Sequence, residues 1–120
     1  MPLPEIRRFD QDAEFLIPEG CHIIELSNTD SDSAVSIARA RVEPGVTTEL
    51  HWLEVTWERY VILEGHGEVE LDGGAWNQVG KSDVVLIPPG CKQRIRNSGA
   101  NDLIFLAICS PRFTPDCYRS

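Results

Sequence analysis

Residues 45–65 read GVTTELHWLEVTWERYVILEG, and residues 82–97 read SDVVLIPPGCKQRIRN. Both stretches are short runs of Val, Ile, Leu, Thr and aromatics bounded by Gly and Pro, which is the composition of strands separated by turns. Alternate side chains of a strand share a face. Glu49, His51 and Leu53 therefore form one set, Glu58, Tyr60 and Ile62 a second, and Gln93, Ile95 and Asn97 a third. If those three faces line one barrel, His51, Glu58 and Gln93 converge near its centre.

Working outward, the same pattern continues. Strands are predicted over 22–26, 34–42, 48–53, 59–63, 68–71, 83–87, 93–96 and 103–107. Turn chemistry separates them at Pro44-Gly45, Gly65-His66-Gly67, Asp72-Gly73-Gly74, Pro88-Pro89-Gly90 and Asn97-Ser98-Gly99. Helical spacing is almost absent, so the expected class is all-β, a sandwich or barrel with little or no helix. Residues 29–33 read as loop. The proline-broken tail after Cys109 is expected to lie across the surface. One domain of 1–120 is expected, with a core of about 20–109, an N-terminal arm of 1–19 and a tail of 110–120.

A chain of 120 residues buries one core and not two. Its formal net charge of −8, with eleven Lys and Arg scattered among nineteen acids, argues against a nucleic-acid partner, which needs a clustered basic surface. No apolar run is long enough for a membrane-spanning helix. The basic N-terminus lacks a following apolar block, so no secretory signal and a cytoplasmic location are expected. None of the four cysteines forms a Cys-x-x-Cys pair, and all four are expected as free thiols, with Cys109 a small core residue.

The two stretches resemble the motifs of the cupin superfamily. The first motif of that family runs Gly, five residues, His, one residue, His, three or four residues, Glu, six residues, Gly. Gly45, His51, Glu58 and Gly65 fall on it, with Leu53 in place of the second His. The second runs Gly, five residues, Pro, one residue, Gly, two residues, His, three residues, Asn. Pro88, Gly90 and Asn97 match it, while Ser82 replaces the Gly and Gln93 the His. The resemblance implies a double-stranded β-helix, or jelly-roll, barrel. It also implies a divalent metal ion (Mn, Zn, Fe or Ni) with His51, Glu58 and Gln93 as ligands, and a homodimer. Glu49 or Tyr60 would serve in proton transfer on a small polar, carbohydrate-like substrate, as in a metal-dependent isomerase or epimerase. The rival expectation is a non-catalytic barrel that binds a small ligand with a degenerate or empty metal site.

Plainer readings stand beside these. His51 can simply pair with Glu58 and Gln93 can simply hydrogen-bond within the pocket. Glu58 needs some partner, because an unpaired carboxylate inside a small barrel is costly. Glu49 and Glu54 are neighbours able to supplement a thinned ligand set. His66 is expected exposed and His22 structural. Arg39 and Arg41 share a face that is either outward or anion-binding, with outward preferred. Trp52 and Trp57, of opposite parity to His51 and Glu58, are expected outside the barrel.

Overall fold

A computed structural model of the chain describes residues 3–120; the first two positions of the expected arm lie outside the described residues. The strands are β1 (Phe15–Leu16), β2 (His22–Ser27), β3 (Ser36–Val42), β4 (Trp52–Leu53), β5 (Trp57–Glu64), β6 (His66–Leu71), β7 (Asn77–Gly80), β8 (Val84–Ile87), β9 (Gln93–Asn97), β10 (Leu103–Ser110) and β11 (Tyr118–Arg119). Among the described residues helix is confined to three short 3-10 turns, one of them at Asp30–Asp32 inside the expected loop. No helix there is long and apolar enough to cross a membrane.

Six strands form one antiparallel sheet in the order β1-β2-β3-β10-β5-β8, and three form a second in the order β7-β6-β9. The sheets pack face to face around one core, with Ile62, Val85, Leu103 and Phe105 from the first meeting Val69 and Ile95 from the second. The alternation is plain in β5, where Glu58, Tyr60 and Ile62 are buried and Trp57 is exposed. It is plain again in β9, where Gln93, Ile95 and Asn97 are buried. Burying those apolar side chains supplies roughly 1.5–3 kcal/mol each.

The motif residues that hold no ligand have structural work. Gly65 has φ +85°, and a Cβ there would meet the Asp102 carbonyl oxygen at 2.6 Å, so only glycine fits. Asn97 Nδ2 donates to the carbonyls of Val42 at 2.9 Å and Asn101 at 2.8 Å, and its Oδ1 accepts from Gly99 N, tying down the turn before β10. Arg39 and Arg41 point outward, where Glu14 accepts from both, at 2.6 Å from Arg41 Nη2 and 3.4 Å from Arg39 Nη1. Trp57 lies 42% exposed, Trp52 is capped by the Lys92 ammonium, and His66 is exposed. His22 pairs with Glu43 at 2.8 Å. All four cysteines are free and buried.

Three segments differ from the sequence expectation. The strand expected over 48–53 is regular only at Trp52–Leu53, with isolated bridges at Thr47 and His51. The regular ladder is lost because Thr48 N and His51 N donate to Ile95 O and Gln93 O, leaving an extra residue between them, while the Glu49 N–H donates to the Glu19 carbonyl. Strand β7 carries a single apolar residue, Val79, in four and has no compositional signal. The tail does not merely cross the surface: β11 returns to pair with β4, bringing Tyr118 opposite Leu53.

Candidate functional site

The strand register sets neighbouring side chains in rows across the inner face of the large sheet. One row runs Ser36, Cys109, Glu58, Ile87; the next runs Ala38, Ala107, Tyr60, Val85. Because Ser36, Ala38, Ala40, Ala107 and Cys109 are small, the sheets cannot close completely. A cavity of about 500 Å³ remains, walled by these residues together with Glu19, His51, Glu58 and Tyr60. The tail closes one side of it with Phe113, Pro115 and Tyr118.

Glu58, Tyr60 and Gln93 meet beside the cavity. Gln93 Nε2 donates to Glu58 Oε1 at 2.7 Å, and the Tyr60 hydroxyl donates to Gln93 Oε1. The Cys109 thiol lies 3.8 Å from the other Glu58 oxygen as a weak donor. Burial pushes the Glu58 carboxyl up to about 7, against the lowering effect of the Gln93 and Cys109 hydrogen bonds. Burial, with the charge of Glu58 next, raises the Tyr60 phenol as well.

His51 sits directly across from Gln93 in an antiparallel bridge, yet its ring turns elsewhere. Nδ1 lies 2.8 Å from the Glu49 carbonyl oxygen. A carbonyl only accepts, so Nδ1 carries the hydrogen and Nε2 of the neutral ring is an acceptor. Nε2 faces Glu19 Oε1 at 3.4 Å, and the Tyr118 ring stacks on the imidazole at 5.3 Å. Burial first, then repulsion from Glu58, pushes Glu19 up to about 8. Glu19 is therefore protonated where an imidazole titrates and offers His51 no counter-charge, which leaves burial to lower the His51 pKa. The Cys21 thiol adds a contact at 3.5 Å to the second Glu19 oxygen.

In this arrangement the expected metal ligands are engaged by other groups of the protein. Gln93 has its amide engaged at both ends, by Tyr60 and Glu58, and His51 Nε2 is turned to Glu19. Leu53, buried against Cys109 and Cys117, has no lone pair to offer. Among the described residues no three His, Cys, Asp or Glu side chains are gathered as a metal ion requires. The two acids expected to help stand apart. Glu49 is exposed, and its backbone rather than its carboxylate touches the site, because the segment before His51 is not a regular strand and the expected parity does not carry back to it. Glu54 is exposed and accepts from Trp52 Nε1.

Glu19 and Tyr118 were not visible in the sequence as site residues. Glu19 lies in the turn between β1 and β2, and Tyr118 near the other terminus. Neither stands at a periodic spacing from His51. The one local hint is the Pro18-Glu19-Gly20 turn, which fixes an acid at a bend where Gly20 adopts φ +107°.

Known proteins share the family and the fold. Residues 38–109 match the family model described as "Cupin domain". An uncharacterized protein of Methanocaldococcus jannaschii, MJ1618, is 32% identical over 108 residues, covering 88% of this chain and 86% of its own length. Among solved structures, KdgF from a Halomonas species superposes with a TM-score of 0.78 at 16% identity, over 91% of this chain and 96% of that one. A predicted oxalate decarboxylase from Thermotoga maritima superposes with a TM-score of 0.70 at 29% identity, over 76% and 80%. The chain belongs to the cupin family.

Proposed function

We propose that this cupin is a small-molecule-binding barrel that holds its ligand through side-chain contacts, with no metal ion required. The observation that carries this reading is the Tyr60–Gln93–Glu58 chain, whose amide is engaged at both ends beside a cavity of about 500 Å³, a volume suited to one small ligand. The walls are mainly apolar, so a carbohydrate-like polyol finds few partners. Oxalate, the dianion acted on by the enzyme predicted for the Thermotoga relative, finds no Lys or Arg among the described residues that line the cavity.

The test is thermal denaturation of EDTA-treated protein against a panel of small neutral, cationic and anionic compounds. Hits that persist in EDTA are expected. Stabilisation that appears only when Mn, Zn, Fe or Ni is restored would overturn the reading in favour of a metalloprotein.

Two copies pair through the outer face of the large sheet. Trp57 and Leu63 of β5 and Val84 and Leu86 of β8, 36–61% exposed, are apolar side chains around Arg59 at the sheet edge, where Val61 pairs with Val84 and Arg59 with Leu86. Light scattering at micromolar concentration should give a dimer mass, and Leu86→Lys should lower it. A monomeric wild-type mass contradicts the pairing.

A further inference from the structure

The cavity walls have an unbalanced charge inventory. Glu19 and Glu58 face the interior and Glu25 is exposed at the rim, yet no Lys or Arg among the described residues lines the space. Three acids outside the barrel sit beside basic partners: Glu14 with Arg41, Glu70 with Arg94, and Glu68 with Arg96. His51 is the one wall residue able to carry positive charge, and both its nitrogens are engaged by the protein, Nδ1 with Glu49 O and Nε2 with the Glu19 carboxyl. Carboxyl groups withdrawn from water without a counter-charge are costly to ionise. Apart from Ser36 and the thiols of Cys21 and Cys109, the rest of the wall is hydrocarbon and aromatic, with Phe15, Tyr60, Phe105, Phe113 and Tyr118 around the space.

We propose that the barrel takes an organic cation: a small amine in its ammonium form on a compact hydrocarbon body. This rests on the reading above that the cavity is a metal-free binding site. An ammonium supplies the missing counter-charge to Glu19 and Glu58, and the ring faces attract it further. A neutral ligand would strip water from those carboxyls and return no charge. An anion would meet no Lys or Arg among the described residues that line the space. A divalent metal would bring charge too, but it must be coordinated, and the donors present are hydrogen-bonded to one another and not gathered. An ammonium needs no such convergence, only proximity to acids and rings, which the apolar walls then complement with its hydrocarbon part.

The test is calorimetric titration of the EDTA-treated full chain at pH 7 with three compounds that share one ring and differ in the head group: cyclohexylmethylamine, cyclohexylmethanol and cyclohexanecarboxylate. The amine should bind about tenfold or more tighter than the alcohol, and the carboxylate should not bind. Glu58→Gln and Glu19→Gln should each weaken the amine by about tenfold while moving the alcohol far less. If one variant fails to fold, the other and the wild-type series still decide. Alcohol binding as tight as the amine, or binding of the carboxylate, overturns the inference and leaves the metal-free reading intact. Absence of binding by all three also overturns it, and the metal-free reading then stands or falls on the wider panel with and without metal.

Discussion

Replacing Glu58 by glutamine should flatten the pH dependence of stability. The folded-state pKa is raised from 4.5 to about 7, chiefly by burial. The folded chain therefore keeps a proton that the unfolded chain releases above 4.5. Its stabilising contribution is complete below 4.5 and declines as pH rises toward 7. At about 1.4 kcal/mol per pH unit, the span amounts to about 3 kcal/mol. Glutamine keeps an oxygen able to accept from Gln93 Nε2, which now lies 2.7 Å from Glu58 Oε1, and cannot ionise. Glu19, pushed up to about 8 partly by repulsion from Glu58, loses that part in the variant, so the difference between the two proteins reports on position 58 together with its coupling to Glu19. Urea unfolding at pH 5, 6, 7 and 8 reads the effect. The variant should match the wild type or fall about 1 kcal/mol below it at pH 5. At pH 8 it should be more stable by about 2–3 kcal/mol. Parallel curves, with no crossing, would show that Glu58 is not a desolvated acid and would refute the reasoning.

Three further outcomes follow from the geometry. Ser82, at the position where the family motif has glycine, adopts φ +73°, so Ser82→Gly should raise stability by about 0.5–1 kcal/mol in urea melts; a loss would mean its side chain matters more than its backbone. Val55 combines φ +59° with 76% exposure, and Val55→Asn should gain about 1 kcal/mol by relieving a β-branched residue in left-handed backbone, with an unchanged midpoint counting against strain there. Tyr60→Phe removes the donor to the buried Gln93 oxygen and should lower stability by about 1–3 kcal/mol; a neutral effect would mean that Gln93 re-pairs.

The barrel was legible in the sequence because its cause is local. Alternation in Glu58, Tyr60, Ile62 and in Gln93, Ile95, Asn97 fixes which side chains face inward, and one face buried per strand then fixes register. Turns at Gly65 and Pro88-Pro89-Gly90 mark where each strand stops. The partners of His51 were not legible, because nothing periodic links positions 19, 51 and 118. They meet only after the first hairpin and the tail fold back over the barrel mouth. The Glu49 expectation went astray for a related reason. It assumed an unbroken strand through His51, whereas an extra residue between Thr48 and His51 breaks the alternation there.

The replacement of two imidazoles by Leu53 and Gln93 changes what the neighbouring acid can be. With three imidazoles and an ion, a carboxylate at position 58 would be a charged ligand. With an amide donor at 2.7 Å and a thiol at 3.8 Å beside it, the ionisation of the same carboxyl is opposed by burial. Leu53 packs with Cys109 and Cys117, and the small Cys109 leaves open the space beside Glu58 that a larger apolar residue would fill. The acid thus borders a cavity with apolar walls rather than solvent, so water competes poorly for it. If the barrel takes the cation proposed above, the positive head gains at Glu58 what no wall residue supplies, and the head group, not the shape of the carbon skeleton, is the variable on which specificity turns.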